Sequence, residues 1–439
     1  MSPDNEEEYS RDDRLRAKVL ADPRVRDLRG QLEHFLTASR HLRHDSEALL
    51  TLQAEMAASL HLFERSKRQF EAEAYAVADN SSQEIADAEV SCGLAKLFIR
   101  SVRDIADGIA WRALGYDRAS IKLLALKAQT GYLDWEGTIG ELNIAAAHVE
   151  ATHGIAIIND LTHSLRYGDI TVVGEDGIEI VEVKAGHGSS HSGRAARQRR
   201  ALTTVIEKLN REEWTTDEGI AKIHRLRTKP VAHLRELDSL IAQAKGEGVA
   251  FARLSDCIAV DVWHMPTLVK TATSDVVDFH DPFSQSTEAG THERMRYFDK
   301  FSVNLAPYSI YPLKDADCVD LMTGAVMVWV HFNHGNLRRC LRRKGMLVRM
   351  PTDDEMESFA ALSLPERRAR ANDVAIRVSR VRQPNELLIE LGALGRVMFE
   401  WLDEECFAAV IAELLDESGS TVEPVLYLDA FEDEQELWD

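Results

Sequence analysis

The sequence predicts an α/β protein with a helical N-terminal region, a central α/β region and a further α/β region towards the C-terminus. In the first part apolar residues recur at intervals of three and four, which is typical of amphipathic helices. Short β-branched runs bounded by glycine-rich segments follow, and such runs indicate strands. We place the three parts at residues 1–130, 131–275 and 276–439, since a chain of 439 residues has room for two or three domains.

The N-terminal region is predicted to be almost wholly helical from about residue 12 onward. The apolar positions of its first two helices are Leu15, Val19, Val25, Leu28, Leu32 and Phe35, then Leu49, Leu52, Met56, Leu60 and Phe63. A polar stretch at residues 80–83 breaks the pattern, and helices resume over residues 84–114. Amphipathic helices need an apolar partner, so we expect them to dock on the central part or to pair between subunits.

The central region is predicted to follow the order helix, strand, strand, strand, helix. Its elements are a helix at 136–152 closed by Gly154, a strand at 155–158, strands at 169–173 and 178–184, and a basic helix at 194–210. The Gly-Glu-Asp-Gly segment at 174–177 is typical of a hairpin turn, so the second and third strands should be antiparallel.

Acidic residues lie at one end of this predicted hairpin. Because side chains alternate along a strand, Glu182 and Lys184 project from the same face. An antiparallel register brings Asp169 beside Glu182, and two hard oxygen ligands at one point suit Mg²⁺ or Mn²⁺, with water completing the shell. The alternative is an exposed hairpin on which Glu182 and Lys184 form an ordinary ion pair.

These residues and this order of elements resemble the PD-(D/E)xK nuclease superfamily, most closely its Holliday-junction-resolvase-like and Mrr-like branches. The resemblance covers about residues 135–265. It implies a restriction-endonuclease-like mixed sheet flanked by helices, and hydrolysis of phosphodiester bonds with Mg²⁺ or Mn²⁺. The implied catalytic residues are Glu141, Asp169, Glu182, Lys184 and Gln198, and the implied metal ligands are Asp169, Glu182 and Glu141.

Three positions leave alternatives open or depart from the family pattern. Glu150 lies on the same predicted helix as Glu141 and is a rival for the helix glutamate, and Asp160 is a weaker rival to Asp169. Gly168 precedes the aspartate where the family name has proline. We prefer Glu141, because its spacing from Gly137 places it at the helix start facing the hairpin.

Basic residues follow the hairpin in a strongly acidic chain. Arg194, Arg197, Arg199 and Arg200 lie on the predicted basic helix, where they can contact a nucleic-acid backbone or form a solvated helix face. Arg166, just ahead of Asp169, can reach a phosphate or pair with a nearby acid.

Beyond the hairpin, residues 257–263 are predicted to add a strand to the nuclease sheet, and residues 276–300 to form a loop. Residues 392–395, with two glycines between apolar runs, are predicted to form a hairpin. Several further segments suggest the strands of the C-terminal α/β region.

Composition limits the class of protein. Five scattered cysteines with no zinc spacing favour a reducing compartment, and no apolar stretch resembles a membrane span. We expect a cytoplasmic, bacterial protein without membrane contact. The net charge of −21 repels DNA. We therefore expect either a basic patch focused around the cleft, or a protein partner that binds the acidic surface or the N-terminal helices and delivers the substrate.

The expected function is a metal-dependent deoxyribonuclease with a DNA substrate, in defence against foreign DNA. A homodimer is expected, since nucleases of this family often dimerise to cut both strands. The alternatives are a catalytically silent or partner-dependent nuclease-fold scaffold in a larger complex, and a DNA-repair or junction-processing nuclease.

Overall fold

The protein contains two compact units. The computed structural model describes residues 15, 18–42, 44–76, 82–125, 135–175, 177–183, 213–216, 219–271, 292–296, 305–363, 366, 375–380, 386–389, 391–417 and 426–431. Unit 1 comprises Met1–Tyr116, Ser120–Asn210 and Ala306–Val326, and unit 2 comprises Asp117–Ala119, Arg211–Leu305 and Met327–Asp439. The N-terminal helices and the acidic hairpin therefore belong to the same unit. The domain boundaries predicted after residues 130 and 275 stay predictions.

Unit 1 is built mainly from helices, with a small antiparallel sheet. Its helices are α1 (Arg24–His41), α2 (Ser46–Ala76), α3 (Ser82–Ala113), most of α4 (Arg118–Ala125), α5 (Trp135–Thr152) and α8 (Asp315–Thr323). Its sheet has the order β1 (Ile155–Ile158), β2 (Ile170–Gly174) and β3 (Gly177–Val181). The prediction of a helical N-terminal region is confirmed, as is the order of α5 and the three strands.

The apolar positions at three- and four-residue spacing form the core of unit 1. Leu32 and Leu36 of α1, Met56 and Leu60 of α2 and Phe98 of α3 are completely buried. α2 and α3 pack along each other, and Phe63 stacks on Phe98 with ring centroids 4.0 Å apart. Burial of each such side chain stabilises the fold by about 1.5–3 kcal/mol. These contacts give the long helices the partner that their amphipathic pattern requires.

A glutamine side chain joins the helical part of unit 1 to its sheet. β1 is an edge strand of the described sheet, so one side of its backbone lacks a strand partner. The Gln53 amide donates to Ala156 O at 2.8 Å, and the Ile158 N–H donates to Gln53 Oε1 at 2.9 Å. Gln53 is buried on α2, so this side chain replaces the missing strand and fixes β1 against the helix.

The end of α5 differs from the prediction that Gly154 closes the helix. The left-handed residue is His153, with φ at 54°, and its N–H donates to Val149 O at 2.8 Å. Gly154 is needed for another reason, because a Cβ there would lie 2.8 Å from Val173 O. The glycine allows the chain to pass close to the end of β2, which sequence spacing alone does not reveal.

Unit 2 contains three sheets in its described part. The strands are β4 (Glu213–Thr216), β5 (Gly219–Leu226), β6 (Val249–Arg253), β7 (Ile258–His264), β8 (His292–Arg296), most of β9 (Val326–Asn333), β10 (Met346–Arg349), β11 (Ile376–Arg380), β12 (Glu386–Ile389) and β13 (Leu426–Phe431). The sheet orders are β13-β5-β4, β6-β7-β9-β8 and β10-β11-β12, and β13 is parallel to β5. The helices are α6 (Glu236–Glu247), α7 (Met265–Thr271), α9 (His334–Arg343), α10 (Asp353–Ala360), α11 (Leu391–Phe399) and α12 (Glu404–Glu417).

Three predictions for this part of the chain are wrong. β7 does not extend the β1-β2-β3 sheet, because its neighbours are β6 and β9 in unit 2. Residues 292–296 form β8 inside the segment predicted as a loop, and β9 pairs with it. Residues 392–395 lie within α11, because its buried Leu394, Val397 and Met398 follow a helical spacing that outweighs the two glycines.

A buried ionic group lies inside unit 2. Arg118 donates to both carboxylate oxygens of Glu400 at 3.0 Å, and Arg396 donates to Glu400 Oε2 at 3.0 Å. All three side chains are almost fully buried. Breaking such a group leaves uncompensated charge in the interior, so we expect each member to be important for stability.

Within the described residues, no helix has the length and apolar content needed to cross a bilayer.

Candidate functional site

The hairpin of β2 and β3 places Asp169 beside Glu182, as the sequence predicts. Ile170 of β2 pairs with Val181 of β3. This register sets Asp169, just before β2, opposite Glu182, just after β3. The Asp169 N–H donates to Val181 O at 2.9 Å, and the Val183 N–H donates to Asp169 Oδ2 at 2.6 Å. The backbone of Asp169 is therefore bonded to the residue before Glu182, and its carboxyl group to the residue after it. The predicted antiparallel register is confirmed.

Gly168 is the residue that the backbone requires before this aspartate. Its φ is +66°, a left-handed conformation that L side chains rarely adopt. A Cβ there would lie 2.5 Å from Ile180 Cγ2 and 2.9 Å from Val181 O. Proline, which fixes φ near −65°, cannot occupy this position. The glycine at this position is thus a consequence of the local turn.

Asn159, which sequence analysis did not single out, fixes the loop that carries Asp169. Its side-chain amide donates to Tyr167 O at 2.7 Å, and its Oδ1 accepts from Thr171 Oγ1 at 2.9 Å. Its backbone N–H donates to Asp169 O at 2.9 Å. Asn159 is buried, so these bonds form in a low-dielectric interior and hold the aspartate in one backbone position. A polar residue directly after the apolar β1 was the available sequence signal.

A second residue missed by sequence analysis is Asp107 of α3, which anchors the loop between β1 and β2. Asp107 Oδ1 accepts from the N–H groups of His163 and Ser164, each at 2.9 Å, and from Ser164 Oγ at 2.6 Å. Burial raises the pKa of Asp107 to about 6, against the opposite effects of these hydrogen bonds and of the Arg166 charge. Burial also lowers the pKa of His163 to about 3, so this imidazole is neutral at neutral pH.

The structure favours Glu141 over Glu150 as the helix glutamate. Glu141 is buried on the inward face of α5 with Thr138, whereas Glu150 is exposed. The neighbouring Gly140 approaches the end of the hairpin, because a Cβ on it would lie 4.0 Å from Val183 Cγ1. Glu141 therefore lies on the buried face of the helix whose Gly140 approaches the end of the hairpin.

Negative charge accumulates at this end of the hairpin. Burial raises the pKa of Asp169; the Val183 N–H acts in the opposite direction, and the nearby Asp160 raises the pKa further. Burial also raises the pKa of Asp160, while Arg103 and Arg166 act in the opposite direction. The site thus holds half-buried carboxylates in an environment that disfavours their charge, as expected where a cation or a proton is to be held.

The donor atoms suit a hard divalent cation, with one restriction. Asp169 Oδ2 receives the Val183 N–H, and Oδ1 accepts no hydrogen bond from any described residue. Within the described part of the chain, no group of three or more His, Cys, Asp or Glu side chains is arranged to hold a metal ion. Mg²⁺ commonly binds through one or two carboxylates and several waters, and the pair of Asp169 and Glu182 suits that mode.

The remaining predicted site residues lie outside the described residues. They are Lys184 and Gln198 of the implied catalytic set, and Arg194, Arg197, Arg199 and Arg200 of the implied nucleic-acid contacts. Their roles stay predictions.

Comparison with known proteins found no relatives. No family model matches the chain, no curated protein matches it, and no solved structure matches it. The resemblance to a nuclease superfamily rests on the residues of the hairpin and their order alone.

Proposed function

We propose that the protein is a metal-dependent nuclease that hydrolyses phosphodiester bonds of DNA, with its active site in unit 1. The single observation that carries the proposal is the position of the Asp169 carboxyl group, hydrogen-bonded to Val183 beside Glu182. Two acidic residues set opposite each other by a hairpin register are a suitable ligand pair for Mg²⁺ or Mn²⁺. When bound, such an ion supplies Lewis acidity towards the phosphoryl group and activates water near neutral pH.

The protein's own residues have distinct roles in this proposal. Asp169 and Glu182 would hold the ion, because the β2–β3 register sets their backbone positions opposite each other. Glu141 would add a carboxylate from α5 that orients water. Lys184, which follows two residues after Glu182, stabilises the negative charge that develops on the phosphoryl oxygens.

A metal-dependent cleavage assay tests the proposal. Purified full-length protein is incubated with plasmid, linear and single-stranded DNA in Mg²⁺ or Mn²⁺, beside Asp169→Asn, Glu182→Gln and Lys184→Ala. We expect cleavage by the wild-type protein and a loss of about a hundredfold or more in each variant. Glu175→Gln is the matched control, because Glu175 is exposed in the turn at the opposite end of the same hairpin. Equal losses in the control and the site variants, or metal-independent cleavage, would contradict the assignment.

A second candidate function is a nuclease-fold scaffold that has no activity of its own. It is favoured by the lack of a three-ligand group among the residues that the structure describes. For this candidate we expect no cleavage and no change in melting temperature on addition of Mn²⁺. A metal-induced rise in melting temperature that Asp169→Asn abolishes would favour the enzyme, because a ligand that binds the folded state stabilises it.

A further inference from the structure

The loop between β1 and β2 carries an arginine that no carboxylate neutralises by direct contact. The Arg166 N–H donates to Leu124 O at 2.9 Å, which anchors the backbone of this residue on α4. Its side chain is half-buried. The guanidinium forms no hydrogen bond or ion pair with any residue that the structure describes. Five N–H donors are thus held at the protein surface without an acceptor from the described chain.

The acids near Arg166 are already engaged or remain at a distance. Asp107 accepts three hydrogen bonds from the loop. The neighbouring Arg103 is paired with Glu64 at 2.9 Å, and both of these side chains are buried. Burial lowers the pKa of Arg166, Asp107 and Asp160 favour its charge, and Arg103 disfavours it. The local arrangement therefore leaves the guanidinium donors of Arg166 to solvent, where a ligand with several acceptor oxygens can replace the water.

Arg166 lies at the edge of the candidate site. It precedes Asp169 by three residues, and the two are linked by a loop whose carbonyl groups Asn159 holds. The Asp160 carboxyl group interacts electrostatically with both Asp169 and Arg166. The charge of Asp160 is therefore felt by the carboxyl group of the site and by the guanidinium of Arg166.

We propose that Arg166 binds a backbone phosphate of the DNA substrate at the site of Asp169 and Glu182. This inference rests on the proposed function. A cluster of carboxylates repels a phosphate, so an arginine beside it adds to the attraction that the metal ion would supply. The planar guanidinium matches two phosphate oxygens and stays charged even when partly buried. The phosphate takes the donors that the described chain leaves unused.

DNA binding as a function of salt concentration tests this role without requiring cleavage. The full-length Asp169→Asn protein is titrated with a short fluorescein-labelled duplex and with the corresponding single strand at fixed Mg²⁺, over a range of KCl concentrations. Each phosphate contact contributes about 0.7–0.9 to the slope of log K against log salt. Adding Arg166→Gln should lower the slope by about one and weaken binding about tenfold or more.

Two further variants separate phosphate contact from a structural role. Arg166→Lys should restore most of the slope, because it returns the positive charge. Arg65→Gln, at an exposed arginine of α2, removes the same charge and should leave the slope unchanged. If Arg166→Gln does not fold, Arg166→Met keeps the packing of the aliphatic stem and serves in its place.

The outcomes for Arg166 and for the nuclease are distinguishable. If Arg166→Gln lowers the slope but the wild-type protein never cleaves DNA, the phosphate contact is supported and the proposed nuclease activity is refuted. Cleavage by the wild-type protein with an unchanged slope in folded Arg166→Gln, or an equal change in Arg65→Gln, overturns the phosphate contact. Absence of DNA binding by every form overturns it as well.

Discussion

Asp107→Asn should change the dependence of the stability of unit 1 on pH. The folded pKa of Asp107 is about 6, compared with a usual 3.8, because the carboxyl group is buried. The folded state therefore binds more protons than the unfolded state between these values. The stabilisation that this group contributes is fully present below pH 3.8 and is lost as the pH rises through about 6.

The magnitude follows from the two pKa values. One pKa unit corresponds to about 1.4 kcal/mol, so the shift from 3.8 to about 6 corresponds to about 3 kcal/mol over the whole window. Of this, about 2–3 kcal/mol falls between pH 4 and pH 7. The asparagine variant cannot ionise, and its amide oxygen can still accept the N–H groups of His163 and Ser164. Relative to the wild-type protein it should gain this amount of stability as the pH is raised.

Urea denaturation at several pH values measures the difference. The transition of unit 1 is assigned by hydrogen exchange and mass spectrometry of peptides from α2 and β1, because two units need not unfold together. The folded pKa of His163 is about 3, so the stability that its neutral imidazole contributes is lost as the pH falls from about 6.5. This pH dependence is opposite to that of Asp107. Because both proteins contain His163, it cancels when the stability of the variant is subtracted from that of the wild type. Asp27→Asn on the exposed face of α1 controls for the lost charge. A wild-type-minus-variant difference that is constant with pH refutes the reasoning.

Four further substitutions, in two matched pairs, test the fold. Gly168→Ala should destabilise unit 1 by about 1–3 kcal/mol, because the new Cβ would clash with Ile180 and the backbone there is left-handed. Its control is Gly30→Ala on α1, where the new Cβ enters open space. In the same urea assay this control should stabilise unit 1 by about 1 kcal/mol. Equal effects at the two glycines would contradict the close approach. Glu400→Ala in unit 2 should cost about 3–5 kcal/mol, because buried arginines lose their partner, whereas Glu405→Ala, from an exposed ion pair, should cost at most about 1 kcal/mol. Thermal unfolding of the two variants compares them, and a similar loss in both would count against a buried ion pair.

Local pattern was sufficient for the helices and strands of unit 1 up to β3. Apolar spacing predicted α1, α2 and α3, and the Asp-Gly turn with alternating side chains predicted the hairpin and its register. Both signals are local, because a helix repeats every 3.6 residues and a hairpin joins strands that are adjacent in sequence. The same local logic failed at α11, where two glycines between apolar residues suggested a turn but tertiary burial of the apolar face selected a helix.

The candidate site could be predicted only in part. Asp169 and Glu182 were found because the chain that joins them is short and its turn fixes their register. Asp107 and Asn159 were missed, because a loop anchor is recognised by the backbone groups it binds and these carry no sequence pattern. The assignment of β7 was also wrong, since the choice of its strand neighbours depends on distant segments.

By itself, the sequence determined which segments of unit 1 up to β3 are helices and strands, and which two acidic residues lie opposite each other at the end of the hairpin. The tertiary structure alone decided that Glu141 is buried while Glu150 is exposed, that the turn before Asp169 needs a left-handed glycine, and that Arg166 has no direct acid partner among the described residues. The physical reason is the range of the interactions. Periodicity and turn chemistry act over a few residues, whereas burial and charge depend on segments that only folding brings together.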